Sequence, residues 1–300
     1  MAGLVLVRYG ELALKSPPVR REFESTLRRN LLDQFVREGV AARLRSDRGH
    51  MYVEADVPEA ALRLVRRVFG VTSASVVYEV PTDRAAIRDR LIELADPRLP
   101  ARTTFAVRAR RTGSHPFTSQ ELARDLGGDL LERFADRELK VDLTHPAVEL
   151  FVEVRGPRTY LSFDRADGPG GLPLGVAGRL VALVDSPRGA LGAYMMMKRG
   201  CRVAIVAPSA GQTLVRDVLQ RFDPAAVVEE PSPGTDGNYA PVLAALADRS
   251  HADGIVLPLG IDEFAHGRAQ WGDRVLFSPT VGLTDEEVET RWRHVATLAG

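Results

Sequence analysis

The chain contains only one cysteine, Cys201, among its 300 residues. A single thiol excludes an intramolecular disulfide and a four-cysteine metal site. No apolar run approaches the ~20 residues that cross a bilayer. No basic-then-apolar signal peptide opens the chain, since the apolar run at Gly3–Val7 is too short. We therefore expect a cytoplasmic protein without a membrane partner.

The net charge is zero, because 40 Lys and Arg residues balance 40 Asp and Glu residues. These charges are unevenly distributed along the chain. Residues 1–165 include 28 basic and 24 acidic residues, whereas residues 166–300 include 12 and 16. A mildly basic front part is typical of proteins that bind a polyanion. A solvated surface of mixed charge explains the same counts, so both interpretations stay open.

The length of 300 residues and the hydrophobic content of 45% indicate a globular chain of two or three domains. Residues 3–80 are predicted to run strand, helix, strand, strand, helix, strand, with the second helix at Pro58–Phe69, which is the ferredoxin-like βαββαβ order. From Leu180 strands and helices alternate, which indicates a doubly wound parallel sheet. The predicted fold class is therefore α/β with an α+β N-terminal part. We predict domains at 1–80, 81–165 and 179–300, with a Gly- and Pro-rich linker at 166–178.

The segment Leu180–Gly200 has the order of elements that is typical of a nucleotide site. It predicts a strand, a tight turn and a helix that Ser186 caps and Gly200 ends. Such a turn binds phosphate through free backbone N–H groups, and close approach of the backbone normally requires glycines there. This turn instead contains Pro187, which has no N–H. A nucleotide bound by a rebuilt loop would contact Asp185, Ser186 and Arg188.

The stretch from Gly170 to Gly200 resembles the start of the catalytic domain of the tRNA 4-thiouridine sulfurtransferases, the ThiI family. In that family the same order of elements carries a PP-loop of the form SGGxDS, which holds the ATP pyrophosphate. Here Asp185-Ser186-Pro187 resembles the end of that loop, but the Ser-Gly-Gly before it is absent. The resemblance therefore implies the family's architecture with a degenerate PP-loop, and it argues against the family's nucleotide chemistry.

The front part of the chain carries the same resemblance. Phe105–Leu122 resembles the central segment of THUMP domains, and Val141–Pro146 with Glu149–Val154 resembles their second half. Tyr9–Lys15 resembles the opening of the ferredoxin-like domain that precedes THUMP in this family. THUMP domains bind structured RNA, and in this family the first two domains together hold the tRNA acceptor end. The resemblance therefore implies a tRNA partner.

A basic strand end that runs into a loop has the groups that RNA binding requires, namely cations for phosphates and hydrogen-bonding groups for unpaired ends. Arginine suits this role because its fork binds phosphate bidentately. The helix predicted over Thr118–Arg137 opens with a capping-box pattern at Thr118–Glu121 and adds free N–H groups that face an anion. Alternatively, the arginines pair with Glu121 or Asp125 on the next helix, or lie on solvated helix faces. The predicted RNA-binding residues are Lys15, Arg28, Arg29, Arg108, Arg110, Arg111, His115 and Thr118.

We predict no catalytic residue and no metal ligand. Thiouridine chemistry in the family uses a cysteine persulfide and often a second cysteine to resolve it. Here Cys201 has no second cysteine and heads a predicted strand, where a buried thiol ionises poorly. His115 and His145 have no set of metal ligands around them. The run Met195–Met197 is predicted to be helix core rather than a cofactor contact.

The resulting hypothesis is a tRNA-binding protein of the 4-thiouridine sulfurtransferase type that has lost ATP-dependent adenylation and needs no cofactor. It would be an accessory subunit or an inactive paralogue beside a catalytic thiouridine enzyme, and the resemblance also implies a homodimer. The alternative is an active tRNA sulfurtransferase that uses ATP and magnesium at a rebuilt loop and takes sulfur from an external donor. A third hypothesis is a scaffold whose acidic last domain recruits a protein partner.

Overall fold

The computed structural model describes residues 3–10, 16–47, 50–231, 238–261, 263, 271 and 273–300. The chain divides into two compact units, each built from more than one segment. The first unit comprises the residues up to Leu6, with Tyr52–Leu62 and Ser75–Ala166. The second unit comprises Val7–Met51, Arg63–Ala74 and Asp167–Gly300. The domain boundaries given above stay predictions.

Among the described residues up to Pro81 there are four strands and two helices, and the strands lie in the order β2-β3-β1-β4. This order confirms the predicted ferredoxin-like arrangement. The middle of β1, at Val5, Leu6 and Val7, is fully buried, as expected for a central strand. The elements are β1 (Gly3–Tyr9), α1 (Pro17–Arg37), β2 (Ala42–Asp47), β3 (His50–Ala55), α2 (Pro58–Val65) and β4 (Val71–Pro81).

Helix α2 is shorter than the prediction that it runs to Phe69. The helix ends at Val65, and Phe69 leaves it to join an aromatic cluster in the second unit. Its ring lies 5.3 Å from that of Tyr194 and 5.4 Å from that of Phe222. Burial of these large rings outweighs the helical preference of the last turn.

The segment from residue 82 to 167 adds two helices and five strands. Strand β5 pairs in parallel with β6 and β7, and β8 runs antiparallel between β7 and β4. The predicted helix from Thr118 to Arg137 is wrong at its end, because Phe134 leaves helical geometry and a 3-10 turn follows. The elements are α3 (Arg84–Ala95), β5 (Thr104–Thr112), α4 (Ser119–Arg133), β6 (Lys140–Val141), β7 (Val148–Arg155), β8 (Arg158–Ser162) and β9 (Ala166–Asp167).

Gly128 offers a simple test of helix α4. It is exposed, and nothing lies within 4 Å of the position that a Cβ would take. Gly128→Ala is expected to stabilise the protein by ~0.5–1 kcal/mol, because glycine in a helix interior costs about that much relative to alanine. Circular dichroism should then show a Tm higher by about 1–3 °C. The reverse change Ala123→Gly on the same helix should lower the Tm, and an unchanged Tm for Gly128→Ala would contradict the prediction.

The last part of the chain contains five parallel strands in the order β12-β11-β10-β13-β14. This confirms the predicted doubly wound sheet, and the strand order reverses beside β10, between β11 and β13. Ligands of such sheets bind outside the carboxyl ends of the strands at that point. The strands are β10 (Arg179–Leu183), β11 (Arg202–Val206), β12 (Val228–Glu229), β13 (Gly254–Val256) and β14 (Leu276–Phe277).

Helices cover both faces of this sheet. Residues 209–222 form α6 (Ser209–Leu214), which continues through a π-helical turn (Val215–Leu219) into a last helical turn (Gln220–Phe222). The other helices are α5 (Pro187–Lys198), α7 (Ala240–Ser250) and α8 (Asp285–Ala299). Within the described part of the chain, no helix is long and apolar enough to cross a membrane.

Candidate functional site

Strand β5 carries the first group of predicted site residues. Side chains alternate along the strand, so Arg108 and Arg110 lie on one face and Arg111 lies on the other. Arg108 is half-buried, and its Nε donates to Glu149 Oε1 at 2.8 Å while its Nη2 donates to the Leu143 carbonyl at 2.8 Å. The charge of Arg108 is therefore already matched by a carboxylate on the neighbouring strand.

Arg110 and Arg111 are the exposed cations at the end of β5. In the described part of the chain the Arg110 guanidinium makes no hydrogen bond or ion pair, and its neighbour in register, Glu153, pairs with Arg155 instead. Arg111 donates from Nη1 to the Gly113 carbonyl at 3.0 Å, which leaves its other N–H groups exposed. These two guanidiniums can approach a phosphate without breaking an ion pair.

The alternative that these arginines pair with the next helix is wrong. Glu121 is held in the cap at the start of α4. Asp125 pairs with Arg84 and Arg124 rather than with the cations of β5. Glu121 and Asp125 are thus not the partners of these arginines.

The loop between β5 and α4 holds His115. Its Nε2 lies 3.1 Å from the Thr112 carbonyl, and its ring stacks on that of Phe117, with centroids 5.7 Å apart and an interplanar angle of 22°. Phe117 is buried and so anchors the imidazole. Gly113 has φ +93°, a conformation that glycine adopts without strain. The loop therefore presents His115 in one fixed orientation.

The N–H of Thr118 itself is not free for an anion, and a role of Thr118 in RNA binding stays a prediction. The Thr118 N–H donates to Glu121 Oε2 at 2.7 Å, and the Glu121 N–H donates to Thr118 Oγ1 at 3.1 Å. These two bonds form a capping box. Hydrogen bonds from the Thr118 backbone and side chain lower the pKa of Glu121. A negative carboxylate therefore already lies at this helix start and disfavours a second anion.

The cations predicted on α1 belong to the second unit. Arg28 and Arg29 are both exposed. Arg28 donates from Nη1 to the Leu44 carbonyl at 3.0 Å, and Arg29 donates from Nη2 to Thr26 Oγ1 at 3.4 Å. Lys15 lies outside the described residues. A role of these three residues in RNA binding stays a prediction.

The turn between β10 and α5 is closed by its own side chains. Ser186 Oγ accepts from the Gly189 N–H at 3.3 Å and donates to Asp185 Oδ1 at 2.9 Å. Pro187 occupies the first helical position, as predicted, and offers no N–H. Pro187 and Gly189 therefore have no N–H available to a pyrophosphate, and at helix positions 187–189 only the Arg188 N–H lacks a partner within the described residues.

The Arg188 side chain holds the segment that precedes α8. Its Nη1 donates to the Thr280 carbonyl at 2.7 Å, and its Nη2 donates to the Leu283 carbonyl and to Asp285 Oδ1, both at 2.8 Å. The side chain is only 17% exposed. Arg188 therefore acts as a structural clamp rather than as a cation available to a nucleotide.

Cys201 and the histidines carry no catalytic arrangement. The Cys201 Sγ donates to the Ala177 carbonyl at 3.3 Å, and burial raises the pKa of its thiol. A thiol in this state is a weak nucleophile. The Asp142 carboxylate accepts from the N–H groups of Thr144 and His145 in the loop after β6, and the His145 and Thr144 backbone bonds lower its pKa. In the part of the chain described here, no group of three His, Cys, Asp or Glu side chains could hold a metal ion.

Two domain families match the front part of the chain. The ThiI ferredoxin-like domain matches residues 4–75, and the THUMP domain matches residues 82–164.

Curated relatives match a longer stretch. The probable tRNA sulfurtransferase of Methanothermobacter thermautotrophicus is 39% identical over 222 residues, which are 70% of this chain and 54% of the relative. The probable tRNA sulfurtransferase of Methanosarcina mazei is 37% identical over 236 residues, which are 73% of this chain and 56% of the relative. The chain thus spans about half the length of the curated relatives it matches.

Two solved structures share the fold. PH1313 from Pyrococcus horikoshii has a TM-score of 0.79 and 26% identity, covering 98% of this chain and 99% of that chain. A 4-thiouridine synthetase–RNA complex with bound ATP has a TM-score of 0.76, covering 100% of this chain and 86% of that chain. At 20% identity this second likeness shows the fold alone.

Proposed function

Since the chain belongs to the tRNA sulfurtransferase (ThiI) family through its ferredoxin-like and THUMP domains, we propose that it binds tRNA and does not adenylate it. One observation carries the proposal. Arg110 and Arg111 stand exposed at the end of β5 without a carboxylate partner, whereas Arg108 beside them is neutralised by Glu149.

The guanidiniums of Arg110 and Arg111 are better suited to bind phosphate than that of Arg108. A cation that is already ion-paired must give up its partner before it neutralises a phosphate, and this cost cancels much of the gain. Arg110 has no such partner in the described residues, and Arg111 gives up none of its contact with the Gly113 carbonyl. We therefore assign the main phosphate contacts to Arg110 and Arg111, and a smaller share to Arg108.

The second half of the proposal concerns ATP. A pyrophosphate requires several converging N–H donors at the strand-to-helix turn. Here Pro187 has none, the Gly189 N–H is taken by Ser186, and the Arg188 side chain is bound to two carbonyls. A protein of this kind would hold tRNA beside a separate catalytic enzyme that supplies the sulfur chemistry.

Salt-dependent tRNA binding tests the proposal. The apparent Kd for an unmodified tRNA transcript should be measured by filter binding between about 50 and 200 mM salt, where the logarithm of affinity falls linearly with that of salt. Arg110→Ala and Arg111→Ala should each weaken binding by roughly three- to tenfold and reduce the slope by about 1. Arg108→Ala should have a smaller effect, because Glu149 already neutralises that cation.

Arg88→Ala serves as the matched control. Arg88 is an exposed arginine of the same unit, paired with Asp89 on α3, and its loss should leave the affinity and the slope unchanged. Binding that is independent of salt, or equally reduced by Arg88→Ala and Arg110→Ala, would contradict the assignment. Saturable ATP binding would instead support an active sulfurtransferase.

A further inference from the structure

An open cleft of about 1470 Å³ lies in the second unit. Its walls are formed by linker residues 168–172, helix α5, the segment 276–279 and helix α8. The residues of the β10–α5 turn and the arginines of β5 are not among those that line the cleft, so neither part of the proposed function uses it.

The floor of the cleft is apolar. Leu191, Met195 and Met196 of α5, Phe277 of β14 and Val295 of α8 line it. Met195 and Met196 are only partly buried, whereas Met197 is fully buried in the core. The prediction that the methionine run is helix core is therefore right for Met197, while the other two thioethers face the cleft. Unbranched methionine side chains adapt to the shape of an apolar partner.

The rim of the cleft is cationic. Lys198, Arg199, Arg291 and His294 line it, and none of the described residues that line it is acidic. All four are exposed, and their side chains make no hydrogen bond or ion pair with any residue that the structure describes. Glu287 lies one turn from Arg291 and interacts with it electrostatically, but its carboxylate is hydrogen-bonded in the Thr284 cap. The rim therefore keeps an excess of positive charge.

The walls of the cleft are fixed by backbone contacts. The Leu172 N–H donates to the Lys198 carbonyl at 3.0 Å. At Gly171, φ is +72° and an added Cβ would lie 2.1 Å from the same carbonyl, so the linker packs closely on the end of α5. Ser278 Oγ donates to the Leu257 and Leu259 carbonyls at 3.1 and 2.7 Å, which holds the opposite wall. The cleft is therefore preformed.

We propose that this cleft is the docking site for an acidic amphipathic helix of a partner protein. A helix about 10 Å across that rises 1.5 Å per residue would fill the cleft with roughly 12 residues. Its apolar stripe would meet the methionine floor, and its carboxylates would meet the cationic rim, the helix-in-groove mode of recognition. The floor favours a peptide over RNA, because its aliphatic and thioether side chains outnumber the aromatic rings on which unpaired bases stack.

Fluorescence anisotropy tests the proposal with the full chain. The probe is a labelled synthetic helix of about 12 residues, with leucine on one face and glutamate on the other. We expect saturable binding that weakens about tenfold in Arg291→Glu and in Lys198→Glu, and more in the double variant. Arg293→Glu is the matched control, since Arg293 is exposed on the same helix but does not line the cleft, and it should bind the probe like the unaltered chain.

Four results would overturn the proposal. One is no saturable binding to the unaltered chain, and another is equal binding by Arg291→Glu and Arg293→Glu. The third is tighter binding of a single-stranded RNA of similar length that displaces the peptide, which would assign the cleft to RNA. Equal binding of a peptide with lysine in place of glutamate would also count against it. Circular dichroism of each variant keeps a loss of binding separate from a loss of fold.

Discussion

Gly211→Ala is expected to unfold the parallel sheet. A Cβ at this position would lie 1.6 Å from the Val184 carbonyl oxygen and 2.7 Å from its carbonyl carbon. Both atoms belong to the backbone at the end of β10, so no side chain can rotate away. The start of α6 would have to move by more than ~1 Å within a close-packed interior, which costs as much as the severe class of substitutions, about 4 kcal/mol or more.

Thermal unfolding followed by circular dichroism measures the effect, and we expect the Tm to fall by about 10 °C or more. Two other glycines make a graded series. Gly189→Ala should cost less, since its Cβ would lie 2.5 Å from the Leu183 carbonyl oxygen, and Gly282→Ala should be close to neutral, since nothing lies within 4 Å. Equal Tm values for the three variants would contradict the packing at the end of β10.

The parts of the fold with strong local signals could be predicted from the sequence. Ser186 and Gly200 predicted both ends of α5, and the structure has the helix at Pro187–Lys198 with φ +92° at Gly200. The ferredoxin-like order and the parallel sheet followed from the alternation of elements. Short edge strands such as Lys140–Val141 and Val228–Glu229 were not predicted, because two residues carry no periodicity.

Long-range contacts limited the prediction of the site. Glu149 neutralises Arg108 across a pair of parallel strands whose register no local pattern specifies. In the same way, Asn30 of α1 donates to the Leu174 carbonyl, 144 residues away, and Gln34 donates to the Arg221 carbonyl, 187 residues away. The sequence predicted cations at the end of β5. Only the strand pairing in the structure shows that Arg108 is bound to Glu149, whereas Arg110 and Arg111 have no carboxylate partner among the described residues.

The capping box shows a second limit. Thr118 and Glu121 were recognised as a capping pattern, yet the helix start was still expected to attract an anion. The two expectations conflict, because the Glu121 carboxylate that completes the cap takes the Thr118 N–H. A glutamate that completes a capping box at the third helical position therefore argues against a phosphate site at that helix start, and the sequence alone shows this pattern.

Arg188→Ala is expected to destabilise the protein without changing its response to ATP. The variant loses hydrogen bonds to the Thr280 and Leu283 carbonyls, each worth about 1.5 kcal/mol when the donor is charged. The ion pair with Asp285 adds little, since that carboxylate is 96% exposed. We expect a total loss of about 3 kcal/mol and a fall in Tm of about 6–10 °C.

Calorimetric titration and thermal shift with ATP and magnesium separate a structural clamp from a nucleotide ligand. If no pyrophosphate site exists, titration of the unaltered chain with ATP gives no saturable heat of binding. The Tm difference between the unaltered chain and Arg188→Ala is then the same with and without ATP. A functional site would instead stabilise the unaltered chain by ~2.7 kcal/mol at a hundredfold excess of ATP over its Kd.

Arg216→Ala is the control, because Arg216 is 71% exposed and, among the described residues, pairs only with the neighbouring Asp217. A rise in Tm that ATP produces in the unaltered chain and in Arg216→Ala, but not in Arg188→Ala, would establish Arg188 as a nucleotide ligand. That result would leave the assignment of tRNA binding to Arg110 and Arg111 unchanged, because these arginines and the β10–α5 turn belong to different compact units.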